Sequence, residues 1–208
     1  MKTDVITIRS DLDGSDLALM TAEKFSEYHD ITGKDAMHLR LLTEEAVSMI
    51  HGILDDFRGK FWMESEKTKH GLLCRICLSA EKQINSEQES QILSVATSGK
   101  NESARGIVGK IRELLRRSLQ PSSDDEALAI QNMADAWLQT GSSNSGFAAP
   151  GAAFWSLQIY RQNLAEKTGS PERDELEKSI IAKIADEVKV WLRSDATEIA
   201  IEKTVSAG

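Results

Sequence analysis

The sequence predicts an α/β domain, and three observations carry that expectation. Stretches of strand character stand at both ends of the chain, DVITIR at 4–9 and the pair KVWLRS and EIAIEKTV at 189–194 and 198–205. Between them two apolar stripes repeat at three- and four-residue spacing. One runs through Leu42, Ala46, Met49, Ile50, Ile53, Leu54 and Phe57, the other through Leu176, Ile180, Ile184 and Val188. A further strand pair, KFWMESE and LLCRICLSA, follows the first stripe. Strands and helices thus interleave, as in folds that layer helices on a sheet.

Taken in order, Val5, Thr7 and Arg9 alternate against Ile6 and Ile8 in the first strand. The next six residues, DLDGSD at 11–16, carry the aspartates of a calcium loop. Their glycine stands two places early, however, and Ala22 fills the twelfth position, where a bidentate glutamate is needed. A turn in which aspartate or serine caps the next helix fits better. That helix covers about 15–29 through Leu17, Met20, Phe25 and Tyr28, and Gly33 marks the break after it. The stripe containing Leu42 and Met49 gives a helix over 34–57, closed by Gly59. Strands at 60–66 and 72–80 pair across a turn at 67–71.

A short helix at 86–96 leads to the glycine-punctuated TSGKNESARGIVGKI and a basic helix at 104–119. Residues 120–151, opened by PSSDD and closed by GSSNSGFAAPG around a short helical stretch, read as a mobile insertion or loop. Phe154, Trp155, Leu157, Ile159 and Tyr160 return to the core as a strand or as a short helix. The last helix, 171–187, has Pro171 near its first turn and passes into the closing strands, joined by a tight turn at 194–196.

The bulk numbers exclude several classes. A chain of 208 residues, 40% hydrophobic and with three prolines, suits one soluble domain over 1–208. No apolar run has bilayer length and the first residues lack a signal-peptide core, so a cytoplasmic location and no membrane association are expected. A net charge of −8 argues against general nucleic-acid binding. The charge is uneven: within 97–119 six basic residues stand against Glu102 and Glu113, a local +4 that leaves −12 elsewhere. Such a stretch meets a phosphate or an acidic partner, or is a solvated helix face. The two cysteines, Cys74 and Cys77, require no disulfide. They form a C-x-x-C beside His70, but residues three apart on a strand face opposite ways, so neither a metal nor redox chemistry is expected.

Two stretches carry candidate chemistry. Glu45 sits on the edge of the apolar stripe, one turn before Met49, where a carboxylate needs a partner to offset its desolvation. The alternative is a Glu45 that faces solvent. The second stretch sets Gly99, Gly106 and Gly109 among Lys100, Asn101 and Lys110. As a P-loop it fails: G-I-V-G-K is one residue short and is followed by Ile111 instead of serine or threonine. Its glycines and Asn101 still offer amides to an anion at a helix start, or serve as a linker that caps the helix.

The segment EEAVSMIHG, 44–52, resembles the N-box helix of anti-sigma-factor kinases, members of the GHKL superfamily of ATP-binding modules. Glu45, Ala46, Val47 and Ser48 match its pattern; Met49 stands where that family carries a magnesium-holding asparagine. The resemblance implies a two-layer sandwich, a mixed and mostly antiparallel sheet with helices on one face. It also implies ATP and magnesium as cofactors, with Glu45 as the catalytic base. In an active site of unusual build the nucleotide would lie against Ser48 and Met49, with the loop of Gly99, Lys100, Asn101, Gly106, Gly109 and Lys110 replacing the family's phosphate cradle. A thioether does not hold a hard cation. The family's two glycine boxes are also absent: AEKQINS stands where the first belongs, and TGSPERDELEK offers only Gly169 for the second. The expectation is therefore a degenerate regulatory module without a metal site or required cofactor. It would bind a protein partner, a sigma-factor-like or anti-anti-sigma-like regulator. The rivals are an active ATP-dependent kinase with an unusual site, and a ligand-free module that dimerises, which exposure of Trp62, Trp155 and Trp191 on one sheet face would favour.

Overall fold

The computed structural model describes residues 1–11, 13–54, 56–82, 109, 153–165, 176, 179–192 and 196–206. Their elements are β1 (Ile6–Arg9), α1 (Ser15–Tyr28), α2 (Gly33–Ile53), β2 (Phe57–Thr68), β3 (Gly71–Lys82), β4 (Ala153–Ser156), α3 (Leu157–Ala165), α4 (Ile180–Ile184), β5 (Glu187–Leu192) and β6 (Ala196–Val205). The strands form one six-stranded sheet in the order β1-β2-β3-β6-β5-β4. Every neighbouring pair runs antiparallel, so the mixed sheet expected from the resemblance is corrected. The reason is topological. β2 and β3 form one hairpin and β5 and β6 another, and the two hairpins meet edge to edge with β6 beside β3. β6 therefore lies between β3 and β5.

Strand alternation gives the sheet two different faces. Toward α1 and α2 point Ile8, Phe61, Met63, Ile76, Leu78, Val188, Val190, Ile199 and Ile201, which join Phe25, Leu39, Leu42, Ala46 and Ile50 of the helices in one core. Helix α4 docks on the same side through Ile181 and Ala182. Trp62, Cys77, Ala200, Trp191 and Phe154 lie on the reverse.

Several boundaries differ from the sequence reading. Helix α1 is capped by the backbone of Gly14, at φ 85, with no side-chain cap bond. A Cβ there would strike the Thr7 carbonyl oxygen, so glycine and not aspartate or serine makes the turn. Helix α2 stops at Ile53; Leu54 is extended and Phe57 opens β2, so Phe57 and Gly59 belong to the sheet. The helical spacing ran on past the end because Phe57 is buried in the same core from a strand. Likewise Val188 continues the spacing of the final helix but is a strand residue. A new helix, α4, starts at Ser179, whose Oγ accepts from the Ala182 N–H at 3.3 Å. Residues 153–165 are both of the open alternatives in succession, β4 and then α3.

The hairpin turn at Lys69 and His70 is closed by Gly71, at φ 133, where a Cβ would meet the Val205 carbonyl oxygen. The expected helices at 86–96 and 104–119, the insertion at 120–151 and the start of the last helix at Pro171 lie outside the described residues, apart from Gly109. No helix among the described residues is long and apolar enough to cross a membrane.

Candidate functional site

Helix α2 carries the first candidate residues. Its core side is Leu39, Leu42, Ala46, Met49, Ile50 and Ile53, all buried, while Glu44 and Ser48 are exposed. At about 100° per residue, Glu45 stands roughly 40° from Met49 and roughly 60° from Ser48 on the other side. It occupies the rim between core and solvent and is half-buried. Burial first, and then the neighbouring charge of Glu44, push its carboxyl above the usual range. No hydrogen bond or ion pair holds it among the described residues.

Met49 is 2% exposed and packs in the helix-side core. The turn after Glu45 therefore presents a soft sulfur directed into apolar surroundings, not a carbonyl oxygen directed at a ligand. Ser48 is exposed. The helix brings Glu45, Ser48 and Met49 within one turn, yet they face three directions. Of the second candidate group, Gly109 is helical and buried. Gly99, Lys100, Asn101, Gly106 and Lys110 lie outside the described residues.

The cysteines behave as their spacing predicts. Cys74 packs in the helix-side core and Cys77 on the reverse. Burial pushes both thiols up to about 12, so neither is a thiolate at neutral pH. No group of three histidine, cysteine, aspartate or glutamate side chains among the described residues could hold a metal ion.

Three polar sites were not picked out by the sequence reading. His29 at the end of α1 shares a 2.9 Å hydrogen bond with Ser65 Oγ of β2, and its ring meets Phe25 edge-on at 4.8 Å. On the reverse face, Glu202 Oε1 joins Lys189 Nζ at 2.9 Å and Arg75 Nε at 3.3 Å, and Arg75 reaches on to Glu66 at 2.9 Å. The buried Glu187 carboxylate accepts from Ser156 Oγ at 3.0 Å, from the Gln158 N–H at 3.1 Å and from the Val188 N–H at 2.8 Å, closing the start of α3. Period-two alternation in the predicted closing pair places Lys189 and Glu202 on one face, but it also reads them as solvent-facing.

Trp62, Trp155 and Trp191 do not form the exposed sheet face that would favour a ligand-free dimerising module. Trp62 and Trp191 are buried on the reverse, and Trp155 packs against the helix-side core. The exposed large apolar side chains are elsewhere, with Leu17, Met20 and Tyr28 on one side of α1 and Met37 on α2. Compared with known proteins, the chain matches no family model, no curated protein and no solved structure.

Proposed function

We propose that this chain is a regulatory module on a GHKL-like scaffold, similar to anti-sigma-factor kinases, that binds a protein partner and has weakened or lost nucleotide binding. The observation that carries the reading is Met49, buried at the position where the resemblance calls for a magnesium-holding amide. A core thioether there is compatible with keeping the helix and giving up the metal. Support for a protein partner comes from the exposed Leu17, Met20 and Tyr28 of α1 with Met37 of α2, apolar surface of the kind found at protein contacts. A sigma-factor-like or anti-anti-sigma-like regulator is the partner class the resemblance suggests.

The test is the melting temperature of the pure protein with ATP, ADP and magnesium. No shift is expected, since a ligand stabilises only the state it binds. A magnesium-dependent rise of several degrees would overturn the proposal.

One observation favours the kinase alternative. Glu45 is half-buried, its carboxyl is raised, and it has no partner among the described residues, as a general base awaiting a substrate hydroxyl would be. On that reading Glu45→Gln abolishes phosphoryl transfer and leaves the melting curve unchanged; absence of transfer by the unaltered chain rules it out.

A further inference from the structure

Helices α1 and α2 carry one pattern twice. Met20, Glu23 and Glu27 stand at i, i+3 and i+7 of α1, and Met37, Arg40 and Glu44 stand at the same intervals of α2. The likeness extends to the inward side. Ala22, Phe25 and Ser26 correspond to Leu39, Leu42 and Thr43, and all six are buried. The hydroxyls of Ser26 and Thr43 each donate to the carbonyl four residues before, of Ala22 and of Leu39, at 2.9 Å. Both helices therefore turn the same positions inward and the same positions outward.

A short loop joins the two helices, so they run antiparallel. The register across their seam is fixed where Arg40 Nε meets Glu23 Oε1 at 3.1 Å. Counted outward from that pair, Met20 stands level with Glu44, and Glu27 stands level with Met37. The outer seam thus has approximate twofold symmetry. Its centre is an ion pair, and each end sets a methionine across from a glutamate. Seven residues separate the two ends along either helix, a distance of about 10 Å. Met20 and Met37 are 47% and 55% exposed, and Glu27 and Glu44 are exposed as well. Neither of these two glutamates has an ion-pair partner among the described residues.

Each end holds the parts that a long cationic side chain needs. The thioether packs along an aliphatic stem and adapts to its course, while the glutamate takes the charged head. At the centre, Glu23 and Arg40 already neutralise each other, so no third charge is called for there. On the reading of this chain as a partner-binding module, we propose that the seam receives a helix of the protein partner that carries lysine or arginine at i and i+7. Those positions share one face of a helix and lie about 10 Å apart, as the two ends of the seam do. The twofold arrangement presents the same groups to that helix in either direction.

The experiment titrates the full-length chain with a helical peptide rich in alanine and glutamine that has two arginines seven residues apart. The methyl signals of Met20 and Met37 are followed by NMR. Both should move together and saturate. Half-saturation should come at a concentration at least about threefold below that of an isomer with its arginines five apart, which point to different sides of the helix. The double variant Glu27→Gln, Glu44→Gln changes only exposed side chains and should bring the two peptides level. Methyl signals that stay still overturn the proposal. An equal response to both peptides does so too, since it would reflect only attraction to a chain of net charge −8. Unchanged binding by the double variant has the same force. Signals that shift on dilution without peptide would assign the seam to a second copy, which also overturns it. A magnesium-dependent rise in melting temperature with ATP would remove the claim of lost nucleotide binding and leave the seam untouched, so the two readings fail separately.

Discussion

Beneath α1 and α2 the sheet offers Ile8, Phe61, Met63, Ile76, Leu78, Ile199 and Ile201; on its reverse the same strands offer Trp62, Cys77 and Trp191 among Arg75, Lys189, Glu198 and Glu202. Both faces hold buried side chains, but by different chemistry. The helix side loses water through continuous apolar contact. The reverse does so through a few large rings and paired charges, whose desolvation is largely offset by their mutual attraction and therefore adds little net stability. Burial alone therefore does not rank the two faces energetically. The apolar face should hold the fold, and the mixed face should contribute less to its stability.

Substitutions on the two sides measure that contrast. The largest effect belongs to the helix side: Phe61→Ala, at a site 0% exposed, should cost about 3–5 kcal/mol in urea unfolding. Trp191→Ala on the reverse should cost about 3 kcal/mol. A loss below about 1 kcal/mol there would mean that the reverse face behaves as ordinary surface. Next comes the cap of α3. Glu187→Ala leaves the Ser156 hydroxyl and the Gln158 amide without their acceptor and should cost about 1–3 kcal/mol; Glu187→Gln, which keeps one oxygen, should recover part of it.

The smallest effect is a pH dependence that comes from the helix side. His29 is lowered from the ordinary 6.5 mainly by burial, with Lys67 among the lesser causes and Asp30 opposing. His51 is lowered by burial as well, against the raising effect of Asp11, and its ring lies edge-on to Phe57 at 5.0 Å. Both favour the neutral ring in the folded chain, so the unfolded chain binds more protons below pH 6.5. Their contribution is complete above that value and is lost as pH falls through the lowered values. The melting temperature should fall modestly between pH 8 and pH 5, and less so in His29→Gln, His51→Gln; an equal fall in both proteins would exclude these rings as the cause.

The elements of this fold were legible where one periodicity ruled. The hairpin of β2 and β3 and the body of α2 show plainly in KFWMESE, LLCRICLSA and the Leu42-to-Ile53 stripe. Their ends were not. Phe57 and Val188 fall in phase with a helix yet belong to strands, since spacing records which side of the core a residue meets and not the backbone that carries it there. The long-range partners on the sheet were not legible either: nothing local sets β6 beside β3 or brings Arg75 to Glu202. At the candidate site the sequence supplied Glu45 and the substitution at Met49. The depth to which Met49 is buried required the packed core.

The place of β6 also bears on how the chain assembles. Its two neighbours differ sharply in origin, since β5 is joined to it by a short turn whereas Ile76 finds Ile201 only across most of the sequence. Until residues 196–205 have left the ribosome, β3 presents a row of unsatisfied amides and carbonyls to any other extended chain. A β2–β3 hairpin formed before β6 is made would carry an open, adhesive edge. Closing that edge requires a pairing of long sequence separation, the kind that forms slowly.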